Sequence, residues 1–217
     1  MTPCGPLVFI RWTATGVAFL NTANQAFVTD YLAQSISALG AYAGDPAQAA
    51  LLGRMSDAVV ACMRAGGKLL LAGNGGSAGD SQHIAAEFTG RMLYDRDPLP
   101  AVALTTDTSA LTAIGNDYGF EHAFERQLIA IGRKGDVFLG MSTSGHSPNV
   151  LLALAAAKAG GMVTIGFAGE GGGKMAGQVD LLLCAPSRLT PVIQQVHMVA
   201  GHILCSLVER MMFPRAA

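Results

Sequence analysis

The chain has 217 residues, 51% hydrophobic and only 13% charged, enough for one α/β domain with a sizeable core. Its formal net charge of −1 leaves no basic footprint for nucleic acid or an anionic membrane, and no run of 18 uncharged apolar residues reads as a membrane span. Four cysteines (Cys4, Cys62, Cys184, Cys205) without a CxxC pair exclude a disulfide framework and a thiolate zinc site; they read as buried, reduced thiols of a cytoplasmic protein.

Residues 1–20 read as an N-terminal extension, poorly ordered, with an arm onto a neighbouring subunit or an early start codon as alternatives. The apolar stretch 5–12 is interrupted by Pro6 and Arg11 and lacks a basic n-region, so it does not read as a signal peptide. Residues 21–217 read as a single domain. A first helix is predicted over 24–39, with Phe27, Tyr31, Leu32, Ile36 and Leu39 forming one buried face. A second runs over 46–65 and stops at Gly66-Gly67. Strands follow at 68–72, 101–105, 136–141, 162–167 and 180–184. They alternate with helical patterns at 78–92, 108–115, 120–132, 148–159 and 190–212. Continuous apolar strands alternating with helices imply a parallel sheet covered on both faces. Methionines and phenylalanines are assigned to the core throughout. The low charge suggests that other subunits cover much of the surface.

Two serine-rich loops stand where strands feed helices: Gly73-Asn74-Gly75-Gly76-Ser77-Ala78-Gly79 and Ser142-Thr143-Ser144-Gly145-His146-Ser147. Glycines let the backbone approach an anion, hydroxyls donate hydrogen bonds, and a helix N-terminus adds free N–H groups and positive potential. The pair points to a small phosphorylated substrate held without lysine or arginine. In such sheets ligands bind beyond the carboxyl ends of the strands. Thr105-Thr106-Asp107-Thr108 and 169–173 fall at that end too, the latter a weak signal that does not follow dinucleotide spacing.

His83 and Glu87, four apart on the helix after the first loop, share a face; they suit a general base or a metal site, and a solvated surface pair is the alternative. Gln194 and His202 lie eight apart on the last helix, roughly 12 Å along its axis, so their side chains meet at one substrate or ion only by leaning inward. A helix supplied by a neighbouring subunit is another route, and a pair of satisfied helix histidines is the equal alternative. His197 is rotated away and reads as structural or supporting. Asp107 either binds sugar hydroxyls or caps the helix beginning near Thr108.

Together these segments resemble the phosphoheptose isomerase family of the sugar isomerase (SIS) superfamily, in order from about 24 to 212. The carriers are Gly73-Asn74-Gly75-Gly76-Ser77, Gln82-His83-Ile84-Ala85-Ala86-Glu87, Leu104-Thr105-Thr106-Asp107 and Ala113-Ile114-Gly115-Asn116-Asp117-Tyr118-Gly119. Ser142-Thr143-Ser144-Gly145 with Ser147-Pro148-Asn149, and Ile193-Gln194 through His197 to His202, complete the set. The resemblance implies a three-layer αβα sandwich around a five-stranded parallel sheet, and a homotetramer with active sites at subunit interfaces. It implies conversion of D-sedoheptulose 7-phosphate to D-glycero-D-manno-heptose 7-phosphate through an enediol. That step leads to nucleotide-activated heptose for lipopolysaccharide or related glycans. It assigns substrate contacts to Asn74, Gly75, Gly76, Ser77, Glu87, Thr106, Asp107, Ser142, Thr143, Ser144, Ser147 and Gln194, with Glu87 and His202 as the acid–base pair. It also implies one zinc per subunit on His83, Glu87, Gln194 and His202. Two positions depart from the family pattern: Gln195 stands where glutamate is frequent, and His146 where asparagine is. A non-catalytic tetrameric adaptor for the replication initiator DnaA, or a protein acting on another sugar phosphate, are the rival readings within the superfamily.

Overall fold

The computed structural model describes residues 22–215; the extension at 1–20 therefore lies outside the described residues. Two helices, α1 (Thr22–Ala43) and α2 (Pro46–Arg64), precede an alternation of strands and helices. These are β1 (Leu69–Gly73), α3 (Gly76–Thr89), β2 (Ala101–Ala103), α4 (Thr108–Tyr118), α5 (Ala123–Ile131), β3 (Val137–Ser142), α6 (Pro148–Ala159), β4 (Val163–Ala168), β5 (Leu181–Cys184) and α7 (Thr190–Met212). The five predicted strands all form. The helix expected over 120–132 is instead a 3-10 turn, Phe120–His122, followed by α5. Local chemistry sets the entries: Asp45 caps α2 by accepting from the Ala47 N–H at 2.9 Å, and Pro46 occupies its first turn.

The sheet is wholly parallel in the order β2-β1-β3-β4-β5. Successive strand residues point to opposite faces. Leu69, Leu71, Val137, Leu139 and Ile165 join the core under α2, α3 and α7, while Leu70, Ala72 and Phe138 pack beneath α5 and α6. This is the three-layer architecture expected. Chain order reverses between β1 and β3, and the carboxyl edge at such a reversal leaves a crevice for a ligand. The two serine loops leave β1 and β3 at that crevice.

Two assignments of buried apolar residues need correction. On α1, Phe27, Leu32 and Ile36 are exposed at 67%, 55% and 70%. The face turned inward carries Ser35, Ala38 and Tyr42 instead, whose smaller members let α1 approach the rest of the chain. Phe120 is exposed as well, whereas Phe88, Phe124, Phe138 and Phe167 are core. Helix α7 is long and apolar enough to cross a membrane by length and composition, but half of that stretch is buried against the domain, including His197 and Glu209. Cys62, Cys184 and Cys205 are free thiols.

Candidate active site

The two serine loops line one cavity of about 260 Å³ together with Thr190 and Gln194 of α7. Its walls are Asn74, Gly75, Gly76, Ser77, Met141, Ser142, Thr143 and Ser147, with no lysine or arginine among them. The N-termini of α3 and α6 open at this edge, so two helix dipoles add positive potential there. Hydroxyls are clustered: Ser142 Oγ lies 2.8 Å from Ser147 Oγ and 3.4 Å from Ser144 Oγ. Ser144 Oγ also accepts from the His146 N–H at 3.1 Å, and the exposed His146 ring bonds the Ser144 carbonyl through Nδ1.

Asn74 and Asn149 exchange amide hydrogen bonds of 2.9 and 2.8 Å, tying the first loop to the start of α6. Asn149, buried, was not among the predicted site residues; a lone asparagine after Ser-Pro gives no signal of a partner 75 positions away. The glycine-rich stretch after β4 backs the second loop. Gly169 N–H donates to the Thr143 carbonyl at 3.1 Å, and Met175 N–H to Gly145 at 3.2 Å. Gly145 has φ +66°, and a Cβ there would collide with the Gly172 carbonyl.

Helices α3 and α7 run side by side. A Cβ on Gly201 would strike Ile84, and one on Gly76 would lie 2.5 Å from the Gln194 amide nitrogen. The glycines thus permit close approach at both ends of the contact. One end holds Gln194 against Gly76, at the serine cavity. The other brings together His83, Glu87 and His202: His83 Nε2 is 2.9 Å from His202 Nε2 and 3.4 Å from Glu87 Oε1. Seven residues separate Gly76 from His83, about 10 Å along the helix. Of the four predicted metal ligands, three are therefore adjacent and Gln194 sits two turns away.

Facing Nε2 atoms can share one proton, with the rings in opposite tautomers, or direct both lone pairs at a cation. The ligand atoms of His83, Glu87 and His202 all lie within 4.8 Å of one another. Two imidazoles and a carboxylate with a position left open is a donor set suited to a catalytic metal ion. His202 and Glu87 are half-buried, and His83 is exposed at the mouth.

Asp107 caps α4, its Oδ1 accepting from the Ala110 N–H at 2.9 Å. Thr106 Oγ1 bonds the Ala103 carbonyl at 3.1 Å. His197 is fully buried, its Nε2 3.0 Å from the Ala168 carbonyl, so it anchors α7 to the end of β4 as a structural residue. Gln195 Nε2 donates to the Tyr31 hydroxyl at 3.4 Å, linking α7 to α1.

Comparison with known proteins agrees with this architecture. The SIS domain family matches residues 30–169. The phosphoheptose isomerase of Burkholderia pseudomallei (strain 1710b) is 54% identical over 187 residues, covering 86% of this chain and 95% of that protein. That of Rhodospirillum rubrum is 59% identical over 151 residues, covering 70% and 80%. The solved phosphoheptose isomerase of Neisseria gonorrhoeae superposes with a TM-score of 0.80 at 44% identity, covering 85% of this chain and 98% of that one. The Francisella tularensis enzyme gives 0.82 at 34%, covering 86% and 98%. A hydroxyl-lined cavity, a His–Glu–His cluster two turns away on the same helices, and relatives alike over nearly their full length converge: the chain belongs to the phosphoheptose isomerase family of SIS-domain proteins.

Proposed function

We propose that the chain is an aldose–ketose isomerase converting D-sedoheptulose 7-phosphate to D-glycero-D-manno-heptose 7-phosphate. The observation that carries this is the His83–Glu87–His202 cluster two helical turns from the serine cavity, on the same pair of helices. Hydroxyls of Ser77, Ser142, Thr143 and Ser147 and the N–H groups of Gly75 and Gly76 bind the phosphate, with Ser144 beside Ser142 at 3.4 Å. The sugar chain then runs along the α3–α7 seam. Asp107 can cap α4 with Oδ1 and accept a sugar hydroxyl on Oδ2, with Thr106 preceding it in the chain, and Asn74 meets the sugar from the first serine loop.

Chemistry takes place at the far end. Glu87 removes a proton from C1 of the ketose, giving an enediol as the C2 carbonyl gains a proton. Glu87 returns its proton to C2, while His202 moves the proton between O1 and O2, leaving the C1 aldehyde. Both groups sit on one seam, so the proton path is short. His83, Glu87 and His202 would hold zinc; Gln194, the fourth donor implied by the resemblance, lies two turns away at the serine cavity and serves there as a substrate contact. When bound, zinc supplies Lewis acidity toward the sugar oxygens. The exposed apolar stripe of α1 and the low overall charge support a homotetramer. Reduced thiols support a cytoplasmic location, and the product supports a place at the start of nucleotide-activated heptose synthesis. A non-catalytic adaptor has no need of the His–Glu–His cluster.

Turnover of sedoheptulose 7-phosphate, with metal content measured on the same sample, tests the reading. Heptose 7-phosphate formation abolished by a chelator and restored by zinc is expected. Chelator-resistant turnover keeps the isomerase and removes the metal role. A folded protein without turnover under every metal condition removes the isomerase.

A further inference from the structure

Behind the site lies a buried ion pair that no step above uses. Arg96 follows α3 in the chain, and Glu209 stands on α7 seven residues beyond His202. Their side chains are 3% and 0% exposed, and Arg96 Nε is 3.1 Å from Glu209 Oε1. The rest of the guanidinium is spent on the end of α3 and on the loop that follows it. Nη2 donates to the carbonyl of Glu87 at 2.7 Å, and Nη1 to those of Phe88 at 2.7 Å, Gly90 at 3.1 Å and Asp97 at 3.0 Å. Glu209 in turn accepts the N–H groups of Met92 at 2.9 Å and Leu93 at 2.7 Å.

The pair is thus a staple between two helices. One end grips the backbone of the proposed base, and the other is fixed to the helix that carries His202. A cation at the C-terminal carbonyls also complements the α3 dipole. Stability alone gives a weak reason for such a pair. Burying two charges costs several kcal/mol each in solvation, and well-packed apolar residues of similar volume often do as well or better. What an apolar pair cannot supply is direction: a planar fork reaching several carbonyls at once fixes the last turn of α3 in rotation and height.

We propose that Arg96 and Glu209 are positioning residues for the isomerisation, setting the distance between the Glu87 carboxylate and the His202 ring. This rests on the assignment of Glu87 and His202 as the acid–base pair. Neither residue touches the substrate, so loss of the staple should leave phosphate binding alone and misplace the base. A displacement of about 1 Å at a reacting group costs on the order of 100-fold in rate.

The test compares Arg96→Met, Arg96→Lys and Glu209→Asp with Glu87→Gln, reading kcat, KM for sedoheptulose 7-phosphate and the thermal midpoint. In Arg96→Met, kcat is expected to fall roughly 10- to 100-fold while KM stays within about threefold. Arg96→Lys and Glu209→Asp, which keep the charges but shorten or simplify the fork, should fall between it and wild type. A folded Arg96→Met with wild-type kcat, while Glu87→Gln is inactive, overturns the positioning role alone. An active Glu87→Gln overturns the acid–base assignment beneath it. If none of the three staple variants folds, the pair is a folding element and the proposal fails.

Discussion

Two histidines five residues apart on α7 are put to different uses. His202 meets His83 and Glu87 at the open seam, whereas His197 points into the core beside Phe167. Burial strips water from the His197 ring, and its bond to the Ala168 carbonyl only partly offsets this. Its pKa is therefore lowered from 6.5 to about 4, and its Nδ1 has no partner among the described residues. The folded protein thus holds His197 neutral where the unfolded chain would protonate it. Its stabilising effect is fully present above 6.5 and is lost progressively as pH falls toward about 4. Between pH 7 and 5 this amounts to about 2 kcal/mol. Denaturation of wild type and His197→Asn at the two pH values should show a smaller acid loss in the variant; equal losses would rule His197 out as the source. At Glu87 the expectation concerns rate. Glu87→Gln should keep its thermal midpoint and lose roughly 10²- to 10⁴-fold in kcat, the range of general acid–base catalysis.

Among elements, the serine loops and the α3–α7 seam respond differently to the same change. Gly145→Ala forces a side chain into the left-handed region against a backbone carbonyl that cannot retreat. It should destabilise by at least about 2 kcal/mol, as read by denaturant unfolding. Gly76→Ala meets only the end of the Gln194 side chain, which can move aside. Stability should change by less than about 1 kcal/mol while KM for the sugar phosphate rises. Equal destabilisation by both would contradict this packing. The loops were legible in sequence because glycine and hydroxyl residues directly after apolar strands have few other uses. His83 and Glu87 were legible through helical spacing. The meeting of His83 with His202, 119 positions apart, was implied by the family resemblance and not by spacing, and the Asn74–Asn149 clamp was not legible at all, because local periodicity carries no register between helices. The buried Arg96–Glu209 pair was invisible for the same reason: read alone, each is an ordinary charged residue.

On the scale of the whole molecule, sequence patterning gave the number and order of strands, since fully buried parallel strands are continuous apolar runs. It misassigned α1, because a stripe such as Phe27, Leu32 and Ile36 looks the same whether its own chain or a partner is to cover it. If α1 packs against other copies, Ile36→Glu should shift the assembly to smaller species in light scattering, with the secondary structure retained. An unchanged mass would remove this stripe from the interface. The account as a whole depends on one reaction at one carboxylate. The most direct test is turnover of sedoheptulose 7-phosphate by wild type and Glu87→Gln side by side. Heptose 7-phosphate made by the first and not by a folded second is the predicted result. Equal turnover by both, or none by folded wild type with or without metal, would contradict it.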